Sequence, residues 1–417
     1  MALPMTMGIA AVIFFNIVDT FWVGQLGGDE LAAMAFTFPV VMVVSNLTIG
    51  LSIGATAAIA RAIGEGHQEK VRRLTTHALI LALLVVITVC AVGLATFEPL
   101  FRSLGASEET LPLISDYMIP WYLGVGLLVV PMLGNGAIRA TGDMKTPAIV
   151  MMCAGFVNAA LDPLLIFGWG PVPKLGLTGA AIATITSYAI AMAVMSYILI
   201  RREKMISFEV PSWSSLRTSW GAILLVGIPA AGTNLLTPVA AGALTRFVSS
   251  HGDTAVAAYG VGTRIESLSM IGVFAMTAVI TTFVGQNHGA KNGQRIMDTF
   301  TFVTKASAIW GGGIAILLYF VAGPIARVFN EDPVIIEQTM LYLRVVPLSY
   351  ITFGIAILVA SMFNALNMPL KATALAALRL VVLAVPLAWL GSTLYGLAGL
   401  FGGIVAANIT MGIVAFA

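Results

Sequence analysis

Asp19 and Asp162 are the residues of this chain best placed to do ion chemistry. Each sits in a long apolar stretch, AVIFFNIVDTFWVG and GFVNAALDPLLIFG, with no Lys or Arg within ten residues. An ionisable side chain at membrane depth costs roughly 2.5–3.5 kcal/mol on insertion scales, so its retention is a functional hypothesis by default. Two carboxylates in one low-dielectric cavity can share a proton. With neighbouring amide and hydroxyl oxygens they also make hard ligands for a monovalent cation such as Na⁺.

The elements that must position them are membrane helices. Of 417 residues, 59% are hydrophobic and 10% charged, against about 25% charged in an ordinary soluble domain. The mean hydropathy is +0.97, and apolar runs of about twenty residues recur along the chain, as bilayer-spanning helices require. Breaking the sequence at its polar and Gly/Pro-rich points predicts about twelve spans, at 3–25, 31–60, 74–97, 112–138, 146–168, 176–200, 218–248, 255–284, 302–326, 334–365, 369–391 and 395–417. One set of alternate loops holds fourteen Lys and Arg, the other only four. By the positive-inside rule both termini face the cytoplasm of a bacterial or archaeal cell, in its cytoplasmic membrane.

The basic, Pro- and Ser-containing segment 201–217 lies mid-chain and reads as a cytoplasmic linker between an N-lobe, 1–200, and a C-lobe, 218–417. Internal similarity supports two six-helix bundles. GEGHQEKVRR (64–73) is echoed by GQNHGAKNGQR (285–295), and LGLTGAAIA (175–183) by YGLAGLFGG (395–403). Both halves start on the same side, which makes this a parallel repeat. The repeat acts as a control on the polar residues. At offsets of 220 to 225, Asp19 falls opposite Ala243, Asn158 opposite Leu383, Asp162 opposite Leu387 and Thr184 opposite Ile404. The expectation is that the N-terminal half alone carries a buried polar cluster. Asn158 and Asp162, four apart, share a helix face. Counted at 1.5 Å per residue, Asp19, Asp162, Tyr117 and Thr184 all fall in the outer half of the membrane. Asn46 and Asn135 lie deeper.

Other features read as structural. Arg264 and Glu266 are two apart on the eighth span, share no helical face, and are expected to pair elsewhere. Cys90 and Cys153, both in apolar runs, read as buried free thiols. His67 and His288 sit in basic loops. No basic n-region or cleavage site precedes the first span, so no cleavable signal peptide is expected. The chain is still apolar at Ala417, so the natural protein is expected to continue. Nothing has the spacing of a P-loop, a metal cluster or a nucleophile–base pair, and the basic residues form no face for nucleic acid. The chain is therefore read as a non-enzyme, without a cofactor and without a nucleic-acid partner.

NIVDTFWVGQLGGDELAA (16–33), GNGAIRATGDMKTP (134–147) and NAALDPLLIFG…LGLTGAAIATITS (158–187) give the chain a resemblance to the multidrug and toxic compound extrusion (MATE) family over nearly its whole length. The resemblance implies two six-helix lobes in a V, working as a monomer in the bilayer and exporting drugs and organic cations in exchange for H⁺ or Na⁺. It is to the DinF-like branch, which implies coupling in the N-lobe. Asp19, Asn158, Asp162, Thr184 and Tyr117 match that branch's coupling positions, and Asp19, Asp162, Asn158 and Tyr117 its substrate-binding ones. Asp19, Asn158, Asp162 and Thr184 are then the set to hold Na⁺, and Pro4 matches a first-helix hinge proline. The branch that couples through C-lobe acids fits less well, because the seventh span has no acid and the tenth only Glu337. The alternative is a lipid-linked oligosaccharide flippase of the same superfamily, which would want a cationic cavity where this chain puts acids.

Overall fold

An apolar run in hydrocarbon can satisfy its own backbone only as a helix. The computed structural model describes residues 2–169 and 173–416, and every regular element among them is helical. In the first half α1 (Ala2–Gly24), α2 (Gly28–Gly64) and α3 (Gln68–Ala95) lead to a short α4 (Phe97–Ser103). A 3₁₀ turn, Val125–Leu128, then joins α5 (Thr110–Gly124) to α6 (Val129–Ala140). α7 (Lys145–Phe167) and α8 (Gly176–Tyr197) follow, and α8 runs on into a π-type turn, Ile198–Arg202.

The second half repeats this plan. α9 (Trp213–Ser249) is followed by α10 (Asp253–Ser269) and α11 (Ile271–Gly289), bent by 42° from one another, and by α12 (Gly293–Phe329). A second 3₁₀ turn, Val346–Ser349, joins α13 (Pro333–Val345) to α14 (Tyr350–Ala365). α15 (Pro369–Ala377) continues through a π stretch, Leu378–Ala384, into α16 (Val385–Phe416). The apolar run 369–416 is 48 residues long, about 72 Å if straight. That is more than twice the ~30 Å hydrocarbon thickness. It breaks at Tyr395–Gly396, where φ of +60° at Gly396 suits glycine alone. Counting the two arms of that run separately and α10–α11 as one bent span, the described residues make the twelve spans expected.

The chain forms two compact units, residues 1–231 and 232–417. Each has its own core, with Trp121, Phe101 and Met118 fully enclosed in the first and Tyr342, Tyr350 and Phe401 in the second. The two 3₁₀ turns fall at matching places in the two halves. So do two close helix crossings. A Cβ on Gly179 would stand 2.6 Å from the Leu165 carbonyl carbon, and one on Gly403 would stand 2.5 Å from that of Leu387. Small residues let membrane helices approach this closely.

A polar latch closes the ends of α7 and α8 opposite the acidic cluster. Asp143 Oδ1 accepts the Lys145 and Thr146 amides at 2.9 and 3.0 Å and so caps α7, while Oδ2 accepts the Thr146 hydroxyl at 2.6 Å and Arg202 Nη2 at 2.5 Å. Burial alone would raise the Asp143 carboxyl, but the Thr146, Arg202 and Lys145 donors outweigh it and hold it below the usual range. A depressed carboxylate stabilises the fold above its unfolded pKa, and that contribution is lost as pH falls through the folded value. Arg202 is too exposed for the ion pair itself to count for much, so the capping bonds dominate. Asp143→Ala is expected to lower stability by about 1 kcal/mol at neutral pH. Thermal melts in detergent should show that gap closing as pH is lowered from about 5 to about 3. A gap of constant size would rule out the carboxylate as its source.

Candidate functional site

α1 turns an apolar stripe outward, with Phe14, Ile17 and Phe21 each more than half exposed. Asp19 and Val23, four apart, share a face that packs against α7. α7 also packs against α8, and α8 against α5. Four helices thus bring one level of each to a common place near α1's C-terminal end, α7's C-terminal end, α8's N-terminal end and the middle of α5.

The geometry there is that of an acid pair with polar neighbours. Asp162 is fully buried, Tyr117 is buried, and Asp19, Asn158 and Thr184 are half-buried. The Asp19 and Asp162 carboxyls stand within hydrogen-bonding reach of each other. Two carboxyls can bond only when one of them carries a proton to donate. Asn158 Nδ2 donates to Asp162 Oδ1 and to Thr184 Oγ1, both at 3.4 Å. The Tyr117 hydroxyl is in reach of Thr184. Asp19 Oδ1 and Asp162 Oδ2 are buried and have no hydrogen-bond partner. Orphan carboxylate oxygens are rare in folded interiors, and here they are the groups able to take a proton, a metal cation or a cationic ligand. Asn158, whose amide offers an oxygen as well as its nitrogen, completes with Asp19, Asp162 and Thr184 the kind of oxygen donor set a Na⁺ ion calls for.

α7 carries Pro163 directly after Asp162 and stays helical through it. The proline withholds the amide that would bond the Ala159 carbonyl, loosening the helix beside the acid. Trp22, one turn beyond Asp19, stacks edge-on against Phe167 and Trp169, with centroids 6.0 and 5.8 Å away. These rings cover the cluster on the side of the α1 and α7 C-termini.

All five coupling positions expected from the sequence meet here. Pro4 does not join them: it lies on α1 fifteen residues before Asp19. Tyr188 does join them and was not singled out. It sits one turn after Thr184 on α8, close enough to feel the Asp19 charge, and the i,i+4 spacing was the available signal.

Two expectations fail. The polar cluster in the first half is not alone, because the second unit gathers buried Tyr342, Ser349 and Asn408 with half-buried Glu266 and Arg379. Tyr342 donates to Glu266 Oε2 at 2.8 Å, and Asn408 donates to Ser349 Oγ at 3.0 Å and faces Arg379 at 3.4 Å. The repeat comparison missed it because it started from the polar residues of the first half: Tyr342 answers to Tyr117 at the offset of 225, but the charged members have apolar counterparts there, Arg379 answering to Ala154. Arg264 itself is exposed. Cys90 is buried as expected, but Cys153 is exposed. Hydropathy reports depth in the membrane and leaves open which way a side chain faces.

The MatE family profile matches residues 4–164 and again 229–390, one copy in each half. The chain belongs to the MatE family. These are the multidrug and toxic compound extrusion transporters of the resemblance above. Over 416 residues the chain is 38% identical to the FAD transporter of Shewanella oneidensis, spanning all of this chain and 92% of that one. It is 28% identical to the probable multidrug resistance protein NorM of Thermotoga maritima, over 84% of this chain and 75% of that one. Among solved structures, the Vibrio cholerae MATE transporter VcmN in its bent form superposes with a TM-score of 0.94 at 32% identity, covering 99% of this chain and 93% of that one. A MATE protein is a transporter in a membrane and works without a prosthetic group.

Proposed function

We propose that this MATE protein is a secondary antiporter of the cytoplasmic membrane, with both termini in the cytoplasm, that expels amphipathic compounds, cationic ones among them, in exchange for inward protons. The observation that carries the reading is the buried Asp19–Asp162 pair with its two orphan oxygens. A proton on the pair neutralises the cluster, while a cationic substrate needs it charged. Competition for one charge gives exchange, and alternating access by the N-lobe (1–200) and the C-lobe (218–417) across the 201–217 linker exposes the site to each side in turn. Asn158, Thr184 and Tyr117 orient and share that proton, and Asp19, Asp162, Asn158 and Tyr117 contact substrate. Na⁺ coordinated by Asp19, Asn158, Asp162 and Thr184 is the other candidate ion.

Inverted vesicles holding the full chain, given a pH gradient and a Na⁺ gradient separately, test this through ethidium accumulation. Uptake driven by the pH gradient is expected. Uptake under Na⁺ alone would reassign the ion, and none under either would defeat the antiport reading.

A second reading is export of a flavin dinucleotide. It is favoured by the 38% identity, along the whole chain, with a protein named as an FAD transporter. FAD in the same vesicles decides it.

A further inference from the structure

The second unit holds a cation that its own neighbours leave half-used. Arg379 is ten residues along the run that starts at Pro369, about 15 Å from the end of the helix. Placing a charged arginine at that depth in hydrocarbon is costly, and such residues are rare without a function. Its guanidinium lies over the Phe353 ring at 4.5 Å, and its one hydrogen bond among the described residues runs 3.4 Å to Asn408 Oδ1. Glu266 is near enough to attract it but forms no salt bridge with it among the described residues, and takes its hydrogen bond from Tyr342 instead. Most of the five-donor guanidinium fork is therefore unspent.

Two independent features mark the place. Arg379 rides on the π stretch Leu378–Ala384, and such wide turns occur mostly as local insertions at functional sites. The equivalent helix of the first half, α7, has no such stretch. Tyr350, fully buried beside Glu266, has a hydroxyl with no partner.

We infer that Arg379, backed by Phe353, Asn408 and Tyr350, is an oxyanion site that receives the phosphate of an aromatic, amphipathic substrate. This builds on the flavin-dinucleotide reading. A guanidinium fork matches a phosphate in bidentate fashion, which a lysine does not. Glu266 supplies the counter-charge that a bound phosphate replaces. The depth of Arg379 assigns the phosphate to a transported molecule, since lipid headgroups stay at the membrane surface. The two units then carry opposite charges: acids for the coupling ion in the first, a base for the substrate's anion in the second.

Equilibrium binding to the full chain in nanodiscs, read by flavin fluorescence, tests this with riboflavin and riboflavin 5′-phosphate, which differ only by the phosphate. The wild type is expected to bind the phosphate ester at least tenfold more tightly. Arg379→Gln should bring it to the riboflavin level, with riboflavin itself unchanged within twofold, and Arg379→Lys should fall between. Should Arg379→Gln not fold, Glu266→Gln serves instead and is expected to tighten the phosphate ester about threefold or more. Equal wild-type affinities, equal losses for both ligands, or a Glu266→Gln protein no tighter than wild type would overturn the site. Competition by phosphatidylglycerol in the nanodisc would overturn it as well, by assigning it to lipid. No gradient enters this measurement. Arg379-dependent binding without gradient-driven exchange would thus indict the antiport reading alone, and ethidium exchange without phosphate preference the anion site alone.

Discussion

Asp19→Asn is expected to fold and insert as the wild type does while ethidium efflux falls to background, a loss of about a hundredfold or more. Asparagine keeps the shape of the side chain, so packing against α7 is little disturbed. It cannot bind a proton at any working pH and carries no charge for a cation. Without a group that takes up and releases the coupling proton, the competition that drives exchange is absent. Asp162 would remain, still held by Asn158 at 3.4 Å, but a single carboxyl has no second acid with which to share a proton. Minimum inhibitory concentrations in cells lacking their own efflux pumps, together with vesicle transport, check the result. Wild-type resistance from a variant present at normal level would end the coupling hypothesis. An unfolded variant would assign Asp19 to architecture instead, so membrane yield and melting temperature belong in the same experiment.

Gly179→Leu should strongly impair folding of the first unit. A Cβ there meets the Leu165 carbonyl, with the carbonyl carbon at 2.6 Å and the Ile166 nitrogen at 2.9 Å. These are backbone atoms and cannot rotate aside. α7 and α8 would have to separate, and interiors packed at crystal-like density transmit such strain. Overpacking of this kind costs about 3 kcal/mol. It would also part Asn158 from Thr184, which face each other across that crossing, so the acid cluster should fail along with the fold. The expected outcome is a melting temperature lower by several degrees and little efflux. Gly313→Ala on α12, where a Cβ meets nothing within 4 Å, should be neutral. If Gly179→Leu melts with the wild type, the helices are not in contact as described.

Hydropathy and counting along a helix carry much of this architecture unaided. Twelve spans, two repeated halves and the shared level of Asp19, Tyr117, Asn158, Asp162 and Thr184 all follow from the length of apolar runs and a rise of 1.5 Å per residue. Neither quantity depends on a neighbouring helix. The rotation of each helix about its own axis does, and that was decided only by packing. It turned Cys153 outward, brought Tyr188 close to Asp19, and gathered Glu266, Tyr342, Arg379 and Asn408 into a second cluster. In a uniformly apolar helix the hydrophobic pattern has almost no preferred face, because lipid and protein interior are alike to a leucine. Which side chains meet is then set by close-approach glycines, the Gly396 break and the π stretch at Leu378–Ala384, and these act only between folded helices.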